Sequence, residues 1–170
     1  RPTPYVFLKA LAGMGKTAFI AKLYELHSSK NEKKISSGDL WAFHFCMHAD
    51  GKDNPIVAMR SLIAQMCDMT GRDREPWLSN DLDELKNEKF PSIIGTVAGE
   101  LKEGERLILI FDALDEGIGN EQDSIPSILP TFVPNRVIII SSFRVNDKKE
   151  ITRVDKHLSH IPNEIRSVFN

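Results

Sequence analysis

Four apolar runs constrain what this chain can fold into: residues 5–8 (YVFL), 41–46 (WAFHFC), 107–111 (LILIF) and 137–140 (VIII). Each is short, unbroken and rich in aromatic or branched side chains. A strand with one wet face alternates apolar and polar residues, whereas a strand covered on both faces does not, so these runs predict buried parallel strands. Helical patterns lie between them, over residues 16–27, 55–69 and 91–101, with Asn54 as an N-cap and Pro55 at the first helical position of the second. Alternating strand and helix require βαβ crossovers, which predicts an α/β fold with a doubly wound parallel sheet. Ligands of such sheets sit at the carboxyl ends of the strands.

The connectors 28–38, containing KNEKK, and 71–89, rich in Asp, Glu, Asn and Arg, are expected to be solvated loops. At 170 residues the chain has the size of one domain, and residues 1–170 are expected to form one nucleotide-binding unit. A net charge of −2 argues against a nucleic-acid partner, and no apolar run approaches the length needed to span a bilayer. Cys46 and Cys67 lack C-x-x-C spacing, so a reducing, cytoplasmic setting without disulfides is expected. The first residue is Arg1 and an apolar run follows within a few positions, the pattern expected of a piece of a larger protein.

Chemistry concentrates at the strand ends. After the first run comes Ala10-Leu11-Ala12-Gly13-Met14-Gly15-Lys16-Thr17, leading straight into a helix. This nearly matches the phosphate-binding loop G-x-x-x-x-G-K-[ST], with Ala10 in place of the first glycine. Gly13 and Gly15 let successive N–H groups turn towards phosphate oxygens, and the helix N-terminus adds its positive end. Ala12, Gly13, Met14, Gly15, Lys16, Thr17 and Ala18 are the expected phosphate cradle. Lys16 would reach the β- and γ-phosphates, and the Thr17 hydroxyl would ligate Mg²⁺. The stretch RLILIFDALDE, residues 106–116, delivers Asp112, Asp115 and Glu116 past the end of a buried strand. Asp112 holds the Walker B position, where a carboxylate supports the Mg²⁺ shell. A third strand, RVIIISSFR, ends in Ser141, Ser142 and Arg144, beside those carboxylates if the two strands are neighbours.

With these residues in view, the chain resembles a NACHT-type NTPase of the STAND class, the signal-transduction ATPases that include NOD-like receptors and microbial defence proteins. ALAGMGKTAF is similar to the family's G-x-A-G-x-G-K-[ST] loop, LILIFDALDE to its D-[GA]-x-D-E stretch, and VIIISSFR to its strand ending in T-S-R. The segment FHFCMHADGKDNPIVAMRSLIAQM is similar to the strand and amphipathic helix of many such proteins. Phe143 stands between Ser142 and Arg144, where the family pattern has no residue. The resemblance implies a P-loop NTPase core of the ASCE, AAA-like kind without its helical lid. It implies ATP or ADP with Mg²⁺ as ligands, with Lys16 and Thr17 on phosphate and metal, Asp112 on the metal, Asp115 and Glu116 activating water, Asp115 slightly ahead, and Arg144 as sensor. Slow ATP hydrolysis would reset a switch that controls self-association of a larger receptor.

Other readings remain open. The domain could retain nucleotide without turning it over. A GTPase would carry an N-K-x-D tetrapeptide, which the sequence lacks, and a transport ATPase an L-S-G-G-Q signature, also absent. His44, Cys46 and His48 alternate, as zinc ligands on one strand face would, although a regular strand splays such side chains too widely for a tight tetrahedron.

Overall fold

A computed structural model describes residues 3–11, 13–27, 38–119, 124–145 and 154–169. Within them the apolar runs become strands β1 (Tyr5–Ala10), β2 (Leu40–Phe45), β3 (Leu107–Asp112) and β4 (Val137–Arg144). A fifth strand, β5 (Arg166–Phe169), joins them. All pair in parallel, in the order β2-β3-β4-β1-β5. Every residue of β3 is buried, as its uninterrupted apolar sequence demands of a central strand.

Helix α1 (Lys16–His27) carries the chain from β1 to the far edge at β2. The chain then returns through β3 and β4 and passes β1 to reach β5. Because right-handed crossovers in opposite directions place their helices on opposite faces, the sheet has two cores. The smaller gathers Ile20 of α1 against Phe43, Ile108 and Ile110. The larger gathers Phe7, Leu109, Phe111 and Phe143 with Met59, Leu62 and Ile63 of α2 (Pro55–Thr70) and with Ile93, Ile94 and Val97 further along the chain. The fold is therefore α/β with a doubly wound parallel sheet. Its winding reverses direction beside β1, and there the strand ends open a crevice.

Local signals explain the ends of α2. The Asn54 side chain accepts from the amides of Ile56 at 2.8 Å and Val57 at 3.4 Å, and Pro55 costs nothing where no helical N–H is needed. Gly71 closes the helix in the left-handed region, with φ 68°.

The segment 71–89 departs from the expected loop. It holds a 3-10 turn (Glu75–Trp77), the short helix α3 (Leu82–Glu84) and a π turn (Leu85–Lys89) that runs into α4 (Phe90–Glu100). Asp81 caps it by accepting from the Glu84 amide at 2.8 Å, and Leu85 is fully buried. Its many charges mask the few apolar anchors that dock it. The wide turn precedes Pro91, whose nitrogen offers no hydrogen and whose ring crowds the carbonyl four residues back. The helix thus starts earlier than residue 91 and is distorted there. Of the connector 28–38, all but Gly38 lies outside the described residues.

Candidate functional site

The carboxyl ends of β1, β3 and β4 meet in one cleft of about 350 Å³. From the β1–α1 turn come Gly13, Met14, Gly15, Lys16, Thr17 and Ala18; from beyond β3 come Ala113, Asp115 and Glu116; from β4 come Ser142 and Arg144. Ala12 lies outside the described residues.

Gly13 and Gly15 have φ of 78° and 80°, a region that side chains disfavour and glycine enters freely. Ala10 stays in the strand register, opposite Arg144, and its φ is not positive. The first position of the loop pattern therefore has no need of glycine here. The Lys16 ammonium folds back over the turn and donates to the carbonyls of Ala10 at 2.6 Å and Leu11 at 2.9 Å.

Across the cleft, Asp112 ends β3 with 2% exposure, behind the cleft wall. The Ser142 hydroxyl donates to its Oδ1 and accepts from the Ala113 amide at 2.9 Å. Ala113 has φ 58°, which turns the chain sharply into the 3-10 segment Leu114–Gly117. That segment presents Asp115 and Glu116 to β4. The Arg144 amide donates to Asp115 Oδ1 at 3.0 Å, its Nε to Asp115 Oδ2 at 2.7 Å, and its Nη2 to Glu116 Oε1 at 3.2 Å.

Phe143 does not displace the arginine. It is an ordinary strand residue, fully buried in the larger core. With a period of two, its neighbours Ser142 and Arg144 both project to the opposite face, each towards a carboxylate. The residue between them is what aligns them.

The family model described as Nephrocystin 3, N-terminal, matches residues 1–142, most of the chain. The chain belongs to the nephrocystin 3 N-terminal family. No curated protein matches it. Among solved structures, the Aeropyrum pernix ORC2 protein, in ADPNP–ADP complexes, is similar with a TM-score of 0.45 and 13% identity. The match covers 99% of this chain and 42% of that one, so the chain spans less than half of that protein's length.

In this nephrocystin 3 N-terminal family member, charges of opposite sign face one another across the cleft. Burial lowers the Lys16 pKa below its ordinary value; Asp115 and Asp112 oppose that shift, and the nearby Arg144 cation adds to it. Burial pushes the Cys46 thiol up, reinforced by Asp112, Glu116 and Asp115, so Cys46 stays protonated beside the carboxylates. The zinc arrangement does not form: the described residues hold no cluster of three or more metal-ligating side chains. His44 is buried with Nε2 2.7 Å from the Lys52 carbonyl oxygen. His48 lies beyond β2, in the turn His48–Asp50, against Asp53.

A larger groove, about 520 Å³, runs along the outer edge of β2 between Tyr24, Trp41 and Gln65. The strand-end residues are not part of it. Gln65 occupies the strand edge there: its Oε1 accepts from the Phe43 amide at 2.9 Å and its Nε2 donates to the Phe43 carbonyl at 2.8 Å. No helix among the described residues is long and apolar enough to cross a membrane.

Proposed function

We propose that this domain binds a nucleoside triphosphate, ATP, with Mg²⁺, and acts as a slowly hydrolysing switch. One observation carries this reading: the glycine turn with Lys16 and Thr17 lines a single cleft with Asp115, Glu116 and Arg144, and Asp112 lies just behind its wall, bonded to the cleft residue Ser142. The amides of the turn and the N-terminus of α1 suit phosphate oxygens, and Lys16 supplies a cation beside them. The Thr17 hydroxyl and the Asp112 carboxylate are hard oxygen donors of the kind Mg²⁺ takes, and they would hold it. Held by Thr17 and Asp112, the ion would supply positive charge that offsets the phosphate charge.

The chain's own residues do the rest. Ser142 fixes Asp112 by donating to it, so that carboxylate keeps its orientation. Asp115 and Glu116, which line the same cleft, would orient a water and accept its proton. Glu116 is the freer base: its side chain is 33% exposed with one arginine contact, against 7% for Asp115 with two. The resemblance to signal-transduction ATPases supports a finer reading, in which the ADP and ATP forms of a larger protein differ in self-association. The absence of an N-K-x-D tetrapeptide supports adenine over guanine.

A second reading, binding without turnover, draws on Arg144, which engages both candidate bases. Calorimetry with Mg²⁺–ATP, Mg²⁺–ADP and Mg²⁺–GTP, followed by phosphate-release measurements, separates the two. ATP binding with slow release supports the switch, and binding without release supports the second reading. No heat with any nucleotide would reject both.

A further inference from the structure

Arg144 and the two carboxylates form more than a surface pair. Asp115 is held by the backbone amide and the guanidinium of the same residue, so losing the side-chain contact would leave Asp115 with its backbone donor. The turn that carries the carboxylates is anchored. Leu114 is fully buried, the Ala113 amide is tied to Ser142, and Gly117 abuts Ile125. The Arg144 side chain, by contrast, is 42% exposed at a strand end. If the pairing breaks, the arginine moves and the carboxylates stay.

The same cleft holds Lys16 and the glycine turn, where phosphates would lie. A planar guanidinium binds a phosphate in the same two-pronged manner as a carboxylate, so a terminal phosphate competes with Asp115 and Glu116 for Arg144. A diphosphate lacks that group.

We propose that the Arg144–Asp115–Glu116 cluster is an autoinhibitory clamp, opened by a third phosphate, through which the site discriminates triphosphate from diphosphate. Closed, it neutralises both candidate bases and withholds the arginine. Open, it frees the carboxylates and transfers the guanidinium to the ligand. The clamp rests on the nucleotide reading above and adds to it the order of events: charge exchange precedes any water activation.

The test uses two readouts on the whole chain. The ¹⁵N signal of the Arg144 Nε–H, identified by its loss in Arg144→Lys, is followed during titration with Mg²⁺–ADP and with the non-hydrolysable Mg²⁺–ADPNP. It should stay in place with ADP and shift with ADPNP. Calorimetry on the Asp115→Asn/Glu116→Gln double variant should show ADPNP affinity gaining on ADP affinity by roughly fivefold relative to the parent, the scale of a partly exposed ion pair. An arginine signal that responds equally to both nucleotides, or that ignores ADPNP while calorimetry records its binding, overturns the clamp alone. An unchanged affinity ratio in the double variant does the same. Calorimetric silence towards both nucleotides overturns the nucleotide reading and the clamp with it.

Discussion

Gly117 and Ile125 are packed with no room for a methyl group between them: a Cβ at position 117 would lie 2.9 Å from the Cβ of Ile125. The obstacle is the branched base of a buried side chain, which cannot swing aside. Gly117→Ala should therefore destabilise the protein by about 1–3 kcal/mol through overpacking and push out the turn that carries Asp115 and Glu116. Gly95, exposed within α4, has nothing within 4 Å of its virtual Cβ. Gly95→Ala should stabilise by about 0.4–1 kcal/mol, because the alanine chain has less freedom to lose on folding. Urea midpoints of the two variants should move in opposite directions.

Lys16→Ala should abolish Mg²⁺–ATP binding and leave the fold intact. Among the described residues the ammonium donates to the carbonyls of Ala10 and Leu11, and it contributes no buried apolar volume. Unchanged circular dichroism with no calorimetric signal is the expected result; an unaltered dissociation constant would sink the phosphate-loop assignment.

Asp112→Asn should weaken nucleotide binding in Mg²⁺ far more than in EDTA, since metal coordination uses that carboxylate and direct phosphate contact does not. Ser142→Ala should share this signature in milder form. It leaves a 2%-exposed carboxylate and the Ala113 amide without their shared partner, and the loss should cost about 1–3 kcal/mol of stability. Equal losses with and without Mg²⁺ in both variants would remove the metal from the assignment.

Burial lowers the His44 pKa below the ordinary histidine value of about 6.5, while the Lys52 carbonyl opposes the shift. The folded state thus holds the ring neutral, and the unfolded chain binds the proton more tightly. This contribution to stability is present above the unfolded pKa of about 6.5 and is lost as pH falls towards the depressed folded value. Denaturant midpoints measured between neutral pH and pH 5 should fall for the parent and fall less for His44→Gln. Parallel profiles would show that His44 is not the titrating group.

The strands that sequence made legible are those whose burial leaves no polar alternation, β1 to β4. β5 is not of that kind. It has four residues beginning with Arg166, and Val168 and Phe169 are 46% and 58% exposed, so its strand character comes from pairing with β1 rather than from its composition. The π turn was equally hidden, because local propensity does not reveal how a helix bends around Pro91. Within the site, glycines and a lysine announce a phosphate loop through backbone needs that sequence displays. The left-handed Ala113 has no such signal, since alanine is not a residue chosen for positive φ. The pairing of Arg144 with Asp115 depends on β3 lying next to β4, a fact of topology that joins residues 29 positions apart.

The Gln65 amide on β2 has a consequence for how this sheet can grow. By offering Phe43 one acceptor and one donor, it supplies the pair of bonds that a further strand would bring to that place. An incoming chain, from this molecule or another, would have to evict a side chain that is already fully engaged. The opposite border, at β5, has no such guard among the described residues. Among the described residues, sheet extension thus meets a side-chain guard at Phe43 of β2 and none at β5.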